Sequence, residues 1–215
     1  MRKIILGLAL TVWGACCPLG RAEPAPEPKD LLPGTLTLSG AWAIYPTAVA
    51  WGEAFHRLPP RVKVEVSAGG AGKGAADAIA GLVDIGMVSR EPDPAELARS
   101  VTALPVLHDG VFPVVSEKHP GLPILLRQGL KKTAWIGLYV TGDLKTWETV
   151  AAGAGDKPVN LYTRSDSCGA AASWAKFLDR KQEDLKGVGV YGDPGILQAV
   201  SQDPLGVGYS NFGYV

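Results

Sequence analysis

The sequence predicts an α/β protein with two lobes, each a mostly parallel sheet flanked by helices. Segments typical of strands alternate with segments of helical periodicity, and this order indicates parallel strands joined by helical crossovers. The turns between them are rich in small residues, in keeping with the 27 Gly and 17 Pro among 215 residues. Two apolar segments flank His108, Asp109 and Gly110 in the middle of the chain. We interpret them as the crossing between the lobes.

The first lobe is predicted over residues 34–107. Its strands and helices alternate in the order strand 35–38, helix 46–55, strand 62–66, helix 75–82 and strand 83–88. Pro46 suits the first turn of a helix, because its missing N–H would have no partner there. Val62, Val64 and Val66 alternate with charged residues, which indicates a half-buried strand.

The second lobe is predicted over residues 108–204. Its predicted segments are helix 133–140, a short helix closing at Trp147, strand 159–163, helix 169–178, loop 189–195 and helix 196–200. Residues 205–215 are an apolar stretch that is expected to begin a return crossing to the first lobe. Because a returning strand should be followed by elements that complete that lobe, we expect the sequence to be a fragment.

The N-terminus is expected to direct export. Residues 1–22 combine a positively charged start with an apolar run too short to span a bilayer, which is the pattern of a signal peptide. We place the cleavage after Ala22 and keep a lipid anchor on Cys16 or Cys17 as an alternative. Residues 23–33 are rich in proline and are predicted to form an extended tether. The mature protein is therefore expected in the periplasm or an equivalent extracytoplasmic compartment.

Charge and composition argue against several classes of protein. The full chain is formally neutral, and cleavage after residue 22 removes three basic residues and leaves a net charge of −3. This balance argues against a nucleic-acid binder. Cys168 is then the remaining cysteine, which allows no internal disulfide. The histidines show no metal-ligand spacing, and we predict neither a metal nor another cofactor.

Three loops share one design, in which a strand, a turn of small residues and a helix follow one another. They cover residues 39–45, 67–74 and 164–170, and Ser89 with Arg90 ends a further strand. In open α/β sheets, ligands bind beyond the carboxyl ends of the strands, where helix N-termini offer free N–H groups. These loops therefore predict an anion site. The candidate ligand-binding residues are Ser39, Gly40, Ala41, Trp42, Gly70, Ala71, Ser89, Arg90, Arg164, Asp166, Cys168, Gly169 and Ala170.

Arg164 is the candidate with the most specific chemistry. A guanidinium offers a rigid fork of donors that suits a tetrahedral oxyanion. Asp166 follows two residues later, where it can hold that fork or cap the next helix. An exposed Arg–Asp pair would contribute little, so the hypothesis requires the other donor-rich loops to lie nearby.

Six segments in a defined order carry a further signal. They are LSGAWAIYP (38–46), VEVSAGGAGKG (64–74), VDIGMVSRE (83–91), GDLKTWETV (142–150), YTRSDSCGA (162–170) and DPLGVGYSNFGYV (203–215). Together they resemble the phosphate-binding family of periplasmic proteins that serve ABC importers. The resemblance implies a type II periplasmic-binding-protein fold, with phosphate or a related oxyanion in the cleft between two lobes. It also implies a monomer that is not an enzyme and that docks on a membrane permease with its ATPase.

The resemblance carries over to individual residues only in part. Arg164 and Gly169 stand where the family places its guanidinium and a backbone donor, and Asp166 stands at the acidic position that supports the arginine. Cys168 replaces a serine. Ser89 falls where phosphate binders place an Asp that accepts a proton from the ligand. Selectivity for phosphate over sulfate-like anions therefore stays open.

Hydroxyl donors of the family are also missing. Ile44, Ala71 and Ala170 stand at positions where this sequence lacks them. Backbone N–H groups are expected to compensate, namely those of Gly40, Ala41, Gly70, Ala71, Gly169 and Ala170. A shift of one residue in the loop 67–74 would instead bring Ser67 near the anion, and both registers stay open.

Two functions of other kinds remain as alternatives. In a thiol-dependent enzyme Cys168 would be the nucleophile, because a helix N-terminus and Arg164 would both lower its pKa, and His108 would be the candidate base. In a non-transport protein the same fold would bind an anion for signalling or adhesion.

Overall fold

Two β-sheets flanked by helices make up the computed structural model, which describes residues 34–58, 62–99 and 101–215. All of these residues fall within one compact unit of the chain. No helix within these ranges is long and apolar enough to cross a membrane. The predicted signal peptide, the alternative anchor at Cys16 or Cys17 and the predicted tether lie outside the described residues. The predicted α/β class with mostly parallel sheets is confirmed.

The first sheet is entirely parallel. Its region contains β1 (Thr35–Gly40), α1 (Tyr45–His56), β2 (Lys63–Ala68), α2 (Ala71–Ile79), β3 (Ile85–Met87) and the short α3 (Pro94–Leu97). The strand order is β2-β1-β3, with Leu38 of β1 opposite Val66 and Ile85. Because α1 and α2 carry the chain back between the strands, the carboxyl ends of all three strands meet at one edge.

Helix α2 begins at Ala71, inside a stretch that the sequence analysis predicted to be a loop. Gly74 lies within this helix and not in a turn. A Cβ at this position would overlap the carbonyl oxygen of Met87 and lie 2.8 Å from that of Ser39. The glycine therefore permits α2 to pack its backbone directly against β1 and β3, and the predicted start of the helix at residue 75 is wrong.

The second sheet has four strands and mixed direction. Its region contains β4 (Val111–Val115), α4 (Leu122–Gln128), α5 (Lys132–Ile136), α6 (Trp147–Val150), β5 (Asn160–Arg164), α7 (Gly169–Phe177), β6 (Val188–Val190), α8 (Gly192–Gln202) and β7 (Gly206–Asn211). The order is β4-β7-β5-β6. Strand β7 is antiparallel to β4 and parallel to β5, and β5 is parallel to β6.

Several predicted boundaries in this half are wrong. Trp147 begins a helix instead of closing one, because Thr146 caps it by accepting the Thr149 N–H. Helix α8 begins at Gly192, which the sequence analysis placed in a loop; the glycine has a φ of 75° and makes the tight turn from β6 into the helix. Helix α5 ends at Ile136, before the predicted residue 140, and continues as a π-helical turn.

An aromatic core packs against the second sheet and fixes the end of β5. Trp174 of α7 stacks on Tyr209 of β7 with ring centroids 5.5 Å apart. The Tyr209 hydroxyl lies 2.8 Å from Thr163 Oγ1 and accepts the backbone N–H of Arg164 at 3.2 Å. The core therefore holds the backbone from which the Arg164 side chain projects.

The segment before β4 is joined to the end of β7. Asn211 Nδ2 donates to Asp109 Oδ2 at 2.7 Å, and we call this pair the junction. Beyond β7, the Tyr214 hydroxyl donates to the carbonyl oxygen of Trp42 at 2.8 Å. Strand β7 itself belongs to the second sheet, so the approach to the first sheet starts only after Asn211. The limits predicted for the two lobes stay predictions.

Candidate functional site

Arg164 ends β5 with a guanidinium held by two carboxylates. Its Nε and Nη2 donate to the two oxygens of Asp166 at 2.8 and 2.6 Å, and its Nη1 donates to Asp193 Oδ2 at 2.6 Å. All three side chains are buried. Burial by itself would lower the pKa of Arg164, but the hydrogen bonds to Asp166 and the nearby negative charges raise it above its ordinary value. The guanidinium therefore stays charged.

The described protein groups engage only part of the donor capacity of Arg164. A guanidinium carries five N–H donors, and Asp166 and Asp193 together accept three of them. The other two, one on each Nη, have no protein acceptor among the described residues. Because two carboxylates surround one cation, this cluster has no excess positive charge. It can bind an anion only through directed hydrogen bonds, assisted by donors from neighbouring elements.

Asp193 is the functional residue that the sequence analysis missed. It is the second residue of α8, and its side chain is 1% exposed. Besides Arg164, it binds Ser210 and the backbone of Asn211, because Oδ1 accepts the Ser210 hydroxyl and the Asn211 N–H, both at 3.1 Å. An acidic residue in the first turn of a helix ordinarily indicates interaction with the helix dipole. The available signal was the Gly-Asp-Pro sequence at residues 192–194, within the predicted loop.

The loops predicted to form one site do converge. A Cβ on Gly70 would lie 3.0 Å from Asp166 Oδ2 and 3.0 Å from the Ser167 carbonyl oxygen. A Cβ on Gly169 would overlap the backbone and the hydroxyl of Ser89. The carboxyl edge of the first sheet therefore contacts the loop between β5 and α7 and also the first residue of α7, and each contact involves a glycine.

The backbone donors at these loops are only partly free. The N–H groups of Ala71, Gly169 and Ala170 lie in the first turns of α2 and α7, and none of them donates to a protein acceptor within the described ranges. In contrast, the N–H of Ala41 donates to Met87 at 2.8 Å and that of Gly70 to Gly40 at 3.0 Å. The prediction that these two amides are available to an anion is therefore wrong for this conformation. Gly40, with φ 136°, packs against Met87.

The hydroxyl of Ser39 is hydrogen-bonded to an ion pair formed by Lys73 and Asp77. It donates to Asp77 Oδ2 at 2.6 Å and accepts from Lys73 Nζ at 2.8 Å, and Lys73 also pairs with Asp77. Hydrogen bonds from Lys73 and Ser39 lower the pKa of the Asp77 carboxyl. Lys73 is therefore fixed beside the end of β1, and Ser39 does not project a free hydroxyl.

Arg90 does not belong to the cluster around Arg164. Its Nη1 and Nη2 donate to the two carboxylate oxygens of Glu96 at 2.9 and 2.6 Å. Glu96 also accepts the backbone N–H of Asp93 and so completes the capping box of α3. Arg90 therefore stabilises the segment after β3, and its predicted place in the anion site is not supported.

Trp42 joins the two halves of the molecule beside this site. Its indole makes edge-to-face contacts with Tyr45 and Tyr191, with centroids 6.1 and 5.9 Å away. A Cβ on Gly192 would lie 3.1 Å from the indole ring. Trp42 therefore packs against the start of α8, directly before Asp193.

Cys168 lies beside Arg164 with a buried thiol. Burial raises the pKa of its thiol to about 11, which outweighs the lowering effect of Arg164. Its Sγ accepts the N–H of Ala171 at 3.4 Å and caps α7. The predicted lowering of this pKa is wrong. His108, the candidate base, is exposed in the segment before β4. Among the described residues, no group of His, Cys, Asp and Glu could hold a metal ion.

Comparisons with known proteins agree with this architecture. A family model described as a PBP superfamily domain matches residues 25–215. The phosphate-binding protein PstS of Bacillus subtilis strain 168 is 25% identical over 218 residues, which cover 99% of this chain and 70% of that protein. Phosphate-binding protein PstS 2 of Streptococcus agalactiae is 34% identical over 86 residues, covering 40% of this chain and 29% of that protein.

One solved structure resembles the fold over most of its length. It is a putative phosphate ABC transporter substrate-binding protein from Clostridium perfringens, determined with bound phosphate. It aligns with a TM-score of 0.74 and 24% identity, covering 84% of this chain and 72% of that one. This likeness shows a shared fold, and the family match covers all of the described residues. The chain therefore belongs to the PBP superfamily.

Proposed function

We propose that this chain is the extracytoplasmic substrate-binding protein of an ABC importer and that it binds phosphate or a related tetrahedral oxyanion at Arg164. The observation that carries the proposal is the buried guanidinium with two N–H groups left without a protein acceptor in the described part of the chain. The names of the relatives, which are phosphate-binding proteins, support the choice of ligand. Gly169 and Ala170 add free amide donors at the start of α7.

Binding follows from the orientation of these groups. Charge-assisted hydrogen bonds from Arg164 would hold two oxygens of the anion, and the first amides of α7 would reach a third. Trp42 and Ser89 come from the first sheet and contact the second-sheet side of the site. An anion between them would therefore draw the two sheets together, as in hinge closure around a ligand.

An extracytoplasmic binding protein also needs an export route and a membrane partner. Export through the signal peptide of residues 1–22, a soluble or lipid-anchored mature form, and docking of a closed monomer on a permease and its ATPase belong to the same function. Lobes at 34–107 and 108–204, with the return towards the first lobe starting after β7, would enclose the anion from two sides. We propose no catalytic activity, and the raised pKa of Cys168 supports that choice.

Titration calorimetry with phosphate, sulfate and arsenate tests the ligand. Arg164→Lys keeps the positive charge between Asp166 and Asp193 but removes the forked donor. We expect it to weaken phosphate binding at least about tenfold, since a charge-assisted hydrogen bond contributes about 1.5–3 kcal/mol. Arg180→Lys is the matched control and should bind phosphate as the wild type does. Arg180 lies outside the site, where its Nη1 donates to the Asp179 carbonyl oxygen.

Two results would reject the proposal. One is an Arg164→Lys protein that keeps the circular dichroism and melting temperature of the wild type and binds phosphate equally well. The other is a wild-type protein to which none of the three oxyanions binds. If the protein binds sulfate or arsenate more tightly than phosphate, Arg164 remains the proposed anion site and only the identity of the anion changes.

A further inference from the structure

We propose that Asp193 is a positioning residue that orients Arg164 for the ligand and links it to the junction between Asp109 and Asn211. The inference rests on the proposed function for its ligand, but its geometry is independent of the ligand's identity. Asp193 has no free oxygen: Oδ2 accepts Arg164 Nη1 at 2.6 Å, and Oδ1 accepts the Ser210 hydroxyl and the Asn211 N–H. It therefore acts through Arg164 rather than by touching the anion.

Asp166 alone would leave the guanidinium free to tilt about one edge. Asp166 binds Nε and Nη2, and Asp193 binds Nη1. With both carboxylates in place, each of the three nitrogens is held. The two unused N–H groups then point in fixed directions before any ligand arrives, which lowers the entropic cost of binding.

Asp193 also links Arg164 to the junction between Asp109 and Asn211. The Asn211 N–H donates to Asp193 Oδ1, and the Asn211 side chain donates to Asp109 Oδ2 at 2.7 Å. A continuous chain of hydrogen bonds therefore runs from Arg164 through Asp193 and Asn211 to Asp109. Asp109 precedes β4 and Asn211 ends β7, so this chain of hydrogen bonds reaches the segment that enters the second sheet and the end of its strand β7.

Whether Asp193→Asn weakens or tightens phosphate binding distinguishes a positioning role from a purely electrostatic one. Asp193 is a buried negative charge beside a proposed anion site. If its charge were all that mattered, Asp193→Asn would remove a repulsion and tighten phosphate binding. If it positions Arg164, the same change weakens binding, because the new amide N–H₂ must face either the guanidinium or the Asn211 N–H, and both are donors.

The experiment measures phosphate binding by calorimetry for Asp193→Asn, Arg164→Lys and the double variant. We expect Asp193→Asn to weaken binding about tenfold in the wild-type background and less than about twofold in the Arg164→Lys background, since residues in one network are not additive. Tighter or unchanged binding in the single variant overturns the proposal. An equal loss in both backgrounds also overturns it, because that result indicates a general structural defect.

Asp203→Asn is the matched control. Asp203 follows the other end of α8, where its carboxylate accepts hydrogen bonds from Asn160, Tyr162 and the Leu205 N–H. It has as many partners as Asp193 but no contact with Arg164. We expect this variant to lose thermal stability and to keep its phosphate affinity. A loss of affinity as large as that of Asp193→Asn would contradict the assignment.

A spectroscopic readout keeps the test independent of the ligand. The Arg164 Nε–H resonance, identified by its disappearance in Arg164→Lys, should shift and exchange faster in ligand-free Asp193→Asn and stay in place in Asp203→Asn. If Asp193→Asn does not fold, Ser210→Ala removes one partner of Asp193 and should give a smaller shift in the same direction. An unmoved resonance in the folded variant refutes positioning even if phosphate turns out not to be the ligand.

Discussion

At the scale of single residues, the buried charges around Arg164 depend on one another. Removing one partner of a buried ion pair costs about 3–5 kcal/mol, because the other charge is left uncompensated. A neutral residue at 164 would leave Asp166 and Asp193 facing each other without a cation. For this reason Lys, rather than Ala, is the informative replacement at this position.

Cys168 provides a prediction about reactivity. A thiol with a pKa of about 11 is ionised to only about one part in a thousand at pH 8. We therefore expect iodoacetamide to modify Cys168 far more slowly in the folded protein than in the same protein unfolded in urea. Mass spectrometry of the peptide that contains Cys168 measures both rates at pH 8. Comparable rates would mean that the thiol is not buried as described.

Sequence reasoning located some of these residues and missed others for physical reasons. Arg164 and Asp166 could be paired because they are two positions apart on one loop. Asp193 could not, because its contact with Arg164 joins residues 29 positions apart. Arg90 was assigned to the site by its position at a strand end, although Glu96, six residues later, competes for its guanidinium. For Cys168, the charge of Arg164 was visible in the sequence and the opposing burial was not.

At the scale of elements, the two misjudged helix starts share one cause. Glycine near a turn ordinarily indicates a loop, and α2 and α8 both begin among glycines. Gly74 is needed for contact between backbones, and Gly192 for a positive φ and for the approach of Trp42. Such requirements arise from tertiary packing, so local sequence could place the helices but not their first residues.

The capping box of α3 makes stability depend on pH. The hydrogen bond from Arg90 holds the pKa of Glu96 at about 2, below its usual 4.5. A lowered pKa in the folded state stabilises the protein above pH 4.5, and this contribution is lost as the pH falls towards 2. We therefore expect Glu96→Gln to reduce the free energy of unfolding at pH 7 and to reduce it less at pH 3, as measured by urea denaturation.

The glutamine in that variant retains the ability to accept the N-cap amide, so the comparison isolates the charge. Glu53→Gln, which removes the charge of an exposed glutamate on α1, is the control. If the effect of Glu96→Gln is equally large at pH 7 and pH 3, the ion pair with Arg90 is not its source.

At the scale of the whole molecule, closeness between the two sheets depends on glycines. Gly169 at the start of α7 lies so close to Ser89 that a Cβ would overlap its backbone. Gly70 and Gly192 make closer than ordinary contacts with Asp166 and Trp42, with a Cβ 3.0 and 3.1 Å away. A side chain at Gly169 would hold the sheets apart even if all hydrogen-bonding groups were unchanged.

Gly169→Ala tests this dependence. We expect the added methyl group to prevent the loops from meeting, so that phosphate produces less compaction than in the wild type. Small-angle scattering with and without phosphate measures the change in radius of gyration. Gly213→Ala is the control, because a Cβ there has no neighbour within 4 Å. Wild-type compaction in Gly169→Ala would show that the two loops need not touch.

The overall architecture was predictable because it depends on patterns that persist along the chain. Alternating strands and helices indicated the parallel sheets, and the order of six short segments indicated the family. The second sheet was harder, because its order β4-β7-β5-β6 brings together strands that are distant in sequence. The short helices α3 and α4 were not predicted; both begin with Pro in the first turn and have few residues in which a period could be recognised.

The position of β7 has a consequence for how the molecule is made. It lies between β4 and β5, and its last residue pairs with Asp109, 102 positions earlier. A chain that emerges amino end first therefore carries two unjoined sheet pieces until residues 206–211 arrive. Pairing over such separations is slow, and unpaired strand edges invite aggregation. Nascent chains of this protein should thus need protection by a chaperone until β7 has been synthesised.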